Sequence, residues 1–149
     1  MSFDGLLQIL WAGLGSLGFC LLFNVRWERI LHIMVGAMVT WAIYLLAQTA
    51  GQSVFVCSLI SAVFATIYCE TMALWLKAPV TVFLMPVLIP LVPGGGLYNT
   101  VYHLITRDTV LMRQYANDTI MTCLGLVLGI AGVQFVIQYW KGRKIKQEG

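Results

Sequence analysis

Long runs without a charged side chain are the feature that most limits what this sequence can fold into. Only 10% of its 149 residues are charged and 60% are hydrophobic, whereas a water-facing surface needs far more charge. The pattern predicts an all-α integral membrane protein, since continuous apolar runs of about 20 residues are typical of membrane-spanning helices. Four uncharged stretches make up most of the chain: 5–25, 30–69, 78–106 and 119–140.

The lengths of these runs predict five transmembrane helices in one membrane domain of residues 1–149. A helix rises about 1.5 Å per residue, so crossing roughly 30 Å of hydrocarbon takes about 20 residues. The first stretch is expected to be a retained helix rather than a signal peptide, because its leader carries Asp4 and no basic residue. The predicted spans are 5–23, 30–47, 54–76, 80–105, which is broken near 91–96, and 119–140.

The basic residues predict how the five spans are oriented. With a cytoplasmic C-terminus, Arg107 and Arg113 lie outside, while seven basic residues lie inside: Arg26, Arg29, Lys77, Lys141, Arg143, Lys144 and Lys146. This excess favours an N-out, C-in topology. The net charge of +3 is therefore read as a topology signal and not as a nucleic-acid footprint. Between the last two spans, residues 104–115 are expected to form an amphipathic outer segment.

All four prolines are concentrated in the fourth span. Pro79, Pro86, Pro90 and Pro93 run directly into Gly94, Gly95 and Gly96. An uninterrupted helix from Val80 to Ile105 would reach about 39 Å, which is too long for a modestly tilted span. Proline removes a backbone donor and glycine permits conformations closed to other residues. We therefore predict that the helix ends near Leu91 and restarts near Leu97, inside the bilayer.

A helix broken inside a bilayer suggests a ligand site, because unpaired backbone groups there must face protein or water. The second half-helix would direct free N–H groups and a positive dipole end at an anionic group, so a small carboxylate-bearing substrate fits. The alternative is a kinked helix packed against its neighbours, or an outer loop, without any ligand. The predicted substrate-binding or gating residues are Pro90, Pro93, Gly94, Gly95, Gly96 and, in the expected first turn, Tyr98, Asn99 and Thr100.

Two further features lie in the third and fifth spans. Glu70 is the one charged residue of the third span, about 10 Å from its inner end by helical rise. It is a candidate for ion coupling, although it could instead reach water or pair with a basic residue of an inner loop. Gly125 and Gly129 form a G-x-x-x-G pattern, which predicts a helix-packing face towards this chain or a partner.

Signatures of catalysis and metal binding are absent from the sequence. It contains no H-E-x-x-H, no phosphate-binding G-x-x-x-x-G-K-[ST] and no G-x-S-x-G pattern. His32 and His103 are too far apart in sequence to support a metal site. We therefore predict no enzyme activity, no cofactor and no metal. The cysteines form no C-x-x-C pair and are interpreted as small apolar fillers: Cys20, Cys57, Cys69 and Cys123.

The stretch from Lys77 to Tyr98 closely resembles the signature of the threonine/serine exporter family. The sequence is similar to the short, separately encoded form that corresponds to the C-terminal half of the full-length exporter. Supporting matches are Phe23-Asn24-Val25, the I-P-L-V-P-G core at Ile89 to Gly94, and Glu70 seven residues before Lys77. One departure is Leu74, where members often carry a basic residue.

This resemblance implies two five-helix halves, of which a larger multispan membrane subunit would supply the other. The implied activity is ion-driven export, across a bacterial cell inner membrane, of small amino acids such as threonine and serine. Dicarboxylates such as succinate are the implied substrates of some two-component systems. The alternative role is a non-transporting membrane scaffold or assembly subunit.

Overall fold

The computed structural model describes residues 3–147, with side chains for residues 4–140. Within that range the chain is helical and contains no strand, which confirms the prediction of an all-α membrane protein. The elements in chain order are α1 (Phe3–Leu22), α2 (Trp27–Thr49), α3 (Val54–Trp75), α4 (Val80–Leu88), a short 3-10 helix (Ile89–Leu91), α5 (Gly94–Ile105) and α6 (Thr109–Gln147).

Four of these helices, α1, α2, α3 and α6, are each long and apolar enough to cross a membrane. The segments Val80–Leu91 and Gly94–Ile105 meet at a bend of 45° and form a fifth candidate if they are counted as one span. A bend of 45° is far from a reversal, so α5 continues in the general direction of α4. The N-out, C-in orientation depends on this fifth span and stays a prediction.

Tight turns join the long helices, and each turn has one residue in the left-handed region. These residues are Asn24 (φ 51°), Gly51 (φ 76°), Lys77 (φ 47°) and Arg107 (φ 60°). In the last of these turns, the N–H of Asp108 donates to the carbonyl of His103 at 3.0 Å, which closes the end of α5. Such short connections keep consecutive helices side by side.

The first half of the broken span is the most deeply buried part of the fold. Phe83, Pro86 and Val87 of α4 are all less than 2% exposed, and α4 packs against α1, α2 and α3. Small residues allow this approach: a methyl group at Gly36 would lie 2.5 Å from the ring of Tyr68. By contrast, α5 has no buried residue and packs on α6.

The longest helix, α6, lies along α3. A methyl group at Gly125 would lie 2.7 Å from the carbonyl oxygen of Phe55, and one at Gly129 would lie 2.7 Å from Cβ of Ala62. The G-x-x-x-G face is therefore in close contact with α3 of the same chain. The predicted separate outer segment at 104–115 is wrong, because α6 already begins at Thr109. Asp108 makes this early start possible: its carboxylate accepts the N–H of Leu111 at 3.2 Å.

Candidate functional site

The break in the fourth span is shorter than the sequence predicts. The α-helix gives way to a 3-10 turn at Ile89, and α5 begins at Gly94, so Val92 and Pro93 alone lie outside helices. The predicted restart near Leu97 is wrong by three residues. The three glycines are helical and none has a positive φ. Glycine permits unusual conformations but does not require them, and Pro93 fits before a first turn whose N–H groups have no intrahelical acceptor.

The three glycines of α5 have different surroundings. A methyl group at Gly96 would collide with Oγ1 of Thr119 on α6, so this position has to be small for the two helices to pack. At Gly94 and Gly95 a methyl group would meet nothing within 4 Å. Gly96 therefore serves the contact between α5 and α6, whereas Gly94 and Gly95 leave open space at the N-terminus of α5.

That N-terminus presents unpaired backbone donors. The N–H of Gly94 donates to Val92 O at 2.7 Å and that of Leu97 donates to Pro93 O at 3.0 Å. The N–H groups of Gly95 and Gly96 lie between these two, where an α-helix offers no acceptor, and Pro93 gives no side-chain cap. Two N–H groups and the positive end of the helix dipole are thus available to an anionic group.

A cavity of about 410 Å³ opens at this break. Its size lies within the range of roughly 300–1,000 Å³ that is usual for small-molecule sites. It brings together side chains of α2, α3 and α6 with the broken span. The lining residues are Trp41, Tyr44, Val54, Pro90, Leu91, Val92, Pro93, Gly95, Gly96, Asp118, Thr119 and Thr122.

The polar groups of the cavity differ between its walls. Asp118 on α6 is the one charged side chain among the described lining residues. The neighbouring hydroxyls of Thr119 and Thr122 donate to carbonyls of α6 at 2.7 and 2.8 Å, which leaves their oxygen lone pairs as acceptors. On the α2 wall, Nε1 of Trp41 is buried and has no hydrogen-bond partner among the described residues. The site therefore combines acceptors on α6 with donors on α2 and α5.

The predicted site residues divide into two groups. Pro90, Pro93, Gly95 and Gly96 line the cavity, and Gly94 starts the helix that enters it. The three polar residues that follow lie in the second turn and do not line it, because the helix begins earlier than predicted. Their side chains have other contacts: Asn99 Nδ2 donates to Gly95 O at 2.9 Å, Thr100 Oγ1 donates to Gly96 O at 2.7 Å, and the Tyr98 ring stacks on that of Tyr102.

Three lining side chains were not among the predicted site residues. Asp118 ends a charged stretch directly before the last span, which gives no sign that it faces inward. Trp41 and Tyr44 lie within an apolar run, where aromatic residues are expected in any case. No local pattern identifies these three residues, because their role depends on packing between helices that are distant in sequence.

Glu70 lies away from this cavity. It is 7% exposed, and Nε2 of Gln134 on α6 donates to its Oε1 at 3.0 Å. On α3, Glu70 is sixteen residues from the cavity-lining Val54, which corresponds to about 24 Å along the helix axis. The carboxylate is therefore held at the buried α3–α6 interface, and direct contact with a ligand in the cavity is ruled out.

The cavity contains no set of side chains suited to a metal. Within the described residues, no group of three or more His, Cys, Asp or Glu side chains could hold a metal ion. The chemistry available at the break is therefore recognition by backbone N–H groups, hydroxyls and one carboxylate.

Comparison with known families covers the whole helical part of the chain that forms this site. Residues 8–136 match the family described as threonine/serine exporter, ThrE. No curated protein and no solved structure matches the chain. The match includes the broken span, the α3–α6 interface and every residue that lines the cavity. This multi-pass membrane chain therefore belongs to the threonine/serine exporter family.

Proposed function

We propose that this chain is the small subunit of a bacterial inner-membrane exporter that moves small amino acids such as threonine and serine. The observation that carries the proposal is the cavity at the break, where the N-terminus of α5 and the carboxylate of Asp118 line one space. A larger multispan membrane subunit would complete the exporter, with this chain oriented N-out, C-in.

The two ends of an amino acid match the two kinds of polar group in the cavity. The substrate carboxylate would accept from the N–H groups of Gly95 and Gly96, where the helix dipole favours negative charge. Its ammonium group would pair with Asp118. The hydroxyls of Thr119 and Thr122 offer acceptors to the remaining ammonium protons or to a substrate hydroxyl.

The same geometry disfavours a dicarboxylate such as succinate. Its second carboxylate would approach Asp118, and two like charges 4 Å apart repel by roughly 1 kcal/mol in water and about 4 kcal/mol at an effective dielectric constant of 20. Zwitterionic amino acids are therefore the proposed substrates, and succinate is the disfavoured alternative.

Ion coupling is proposed to involve the Glu70–Gln134 pair. A carboxylate that is 7% exposed in a membrane helix is costly to keep ionised unless it is hydrogen bonded or protonated. Because this pair is about 24 Å from the cavity along α3, binding or release of an ion there would act through the α3–α6 interface. The substrate and the ion would then occupy separate sites.

A partner subunit is supported by the unusually open surface of the chain. Its accessible area is 9758 Å², whereas a compact monomer of this mass exposes about 7,600 Å². The helix α5, which carries the proposed carboxylate site, has no buried residue. A second five-helix half packed in inverted orientation would cover α5 and close the cavity, as in transporters with inverted repeats.

The proposal is tested by export of labelled threonine, serine and succinate from cells that express the chain at its native locus, compared with cells in which the gene is deleted. Loss of threonine and serine efflux with unchanged succinate efflux is the expected result. Gly95→Leu, which fills the cavity mouth, should abolish that efflux. Gly132→Leu is the matched control, because a side chain there also meets nothing within 4 Å but lies outside the cavity.

Two outcomes would contradict the proposal. Efflux of all three compounds that is unaffected by the deletion would leave the chain a non-transporting subunit. A purified complex whose substrate cavity is lined entirely by the larger subunit would have the same meaning.

A further inference from the structure

The break leaves one backbone carbonyl without its usual partner in the buried half of the span. In an α-helix the carbonyl of Pro86 would accept the N–H of residue 90, but that residue is proline and has no N–H. Pro86 is less than 2% exposed, so water does not reach the site readily. An unpaired carbonyl in such a place is strongly unfavourable.

Ser16 of α1 supplies the missing donor. Its hydroxyl donates to Pro86 O at 2.8 Å, and the serine itself is 0% exposed. Every other hydrogen bond that a serine or threonine hydroxyl donates within the described residues goes to a carbonyl three or four residues earlier on the same segment. Examples are Ser61 to Cys57 O and Thr66 to Ala62 O. The Ser16 bond is therefore a specific tie between α1 and the broken span.

This bond lies at the boundary between a fixed and a less restrained half of the span. On one side, α4 is buried against α1, α2 and α3. On the other side, α5 has no buried residue and packs on α6. The residues between them, Val92 and Pro93, set the direction in which the N–H groups of Gly95 and Gly96 point. A hydrogen bond that fixes the end of α4 also fixes where this joint begins.

We propose that Ser16 is a positioning residue for transport, whose hydroxyl holds the broken span in the arrangement that opens the cavity to the N-terminus of α5. Ser16 does not line the cavity, so it acts through the Pro86 carbonyl and not on the substrate. The effect on transport rests on the proposed function, whereas the effect on the conformation of the break does not.

The test compares Ser16→Ala with Ser61→Ala in the full chain expressed at its native locus. Both serines are 0% exposed and donate at 2.8 Å, but the carbonyl bonded by Ser61 belongs to an uninterrupted helix and keeps its backbone partner. A Gly95→Cys reporter measures how fast a thiol reagent reaches the cavity, with the same chain lacking the reporter as background for the four native cysteines.

Ser16→Ala is expected to slow reporter labelling about tenfold and to raise the KM for threonine export about tenfold, since one buried carbonyl loses its donor. Ser61→Ala should match the parent chain in both measurements. Ser16→Cys keeps the side-chain volume but has a weaker donor, so its labelling rate should be intermediate. Equal labelling rates in Ser16→Ala and Ser61→Ala would overturn the proposal.

Two further outcomes are decisive. If Ser16→Ala does not accumulate in the membrane, Ser16→Cys alone decides, and a parent-like labelling rate there would refute the positioning role. If the parent chain exports none of the tested substrates, the proposed function fails, but the labelling comparison still tests Ser16.

Discussion

Replacing Asp118 with asparagine is the most direct test of how the cavity recognises its substrate. The substitution keeps the shape of the side chain and removes the one charge among the described lining residues. A hydrogen bond to a charged group contributes about 1.5–3 kcal/mol, and tenfold in affinity corresponds to about 1.4 kcal/mol. We therefore expect Asp118→Asn to raise the KM for threonine and serine by roughly 10- to 100-fold.

The measurement is concentration-dependent efflux of labelled substrate, in parallel for threonine, serine and succinate. Succinate should show the opposite trend, because removal of the negative charge relieves repulsion of its second carboxylate. Asp108→Asn is the matched control. Its carboxylate lies in the turn before α6 and accepts the N–H of Leu111, so it should change neither KM.

An unchanged KM for threonine in Asp118→Asn, with normal amounts of protein in the membrane, would refute the assignment of the ammonium group to Asp118. An equal loss for threonine and succinate would also refute it, since a general distortion of the cavity does not distinguish the two ligands.

Other changes test the interfaces around the site. Gly129→Leu should lower the stability of the detergent-solubilised protein by about 1–3 kcal/mol in thermal unfolding, because even a methyl group there would lie 2.7 Å from Cβ of Ala62; an equal effect of Gly132→Leu would argue against a packing cause. Glu70→Gln should retain substrate exchange between the two sides but lose gradient-driven accumulation, and undiminished accumulation would remove Glu70 from ion coupling. Lys77→Gly should stabilise the protein by about 0.5–1 kcal/mol, since φ is 47° at this position; a melting temperature that does not rise would contradict this account of the turn.

The broken span illustrates how far local reasoning reaches. The missing N–H groups of Pro90 and Pro93 are a property of the residues themselves, so a break between two helical segments is predictable. Its boundaries are not, because they depend on neighbours. Gly96 is helical and its small size is needed beside Thr119, which is a contact with another helix and leaves no trace in the local pattern.

The polar network is less predictable than the helices. Glu70 is conspicuous as the one charge of its span, but its partner Gln134 is 64 residues away. Ser16 resembles any small residue of an apolar helix until α1 is placed against Pro86. Such pairs are defined by which faces of two helices meet, and hydropathy alone does not determine that choice.

The sequence by itself determined that the chain lies in a membrane, that it is helical, and that its fourth span is interrupted at the prolines. These outcomes follow from the cost of placing charges and unpaired backbone groups in hydrocarbon, which each segment carries alone. The tertiary structure decided what the interruption faces. The turn at Arg107 folds α5 back along α6, and this packing brings Asp118 to the same cavity as the N–H groups of Gly95 and Gly96. A cavity is formed by surfaces of several helices at once, so its chemistry exists only after they have packed.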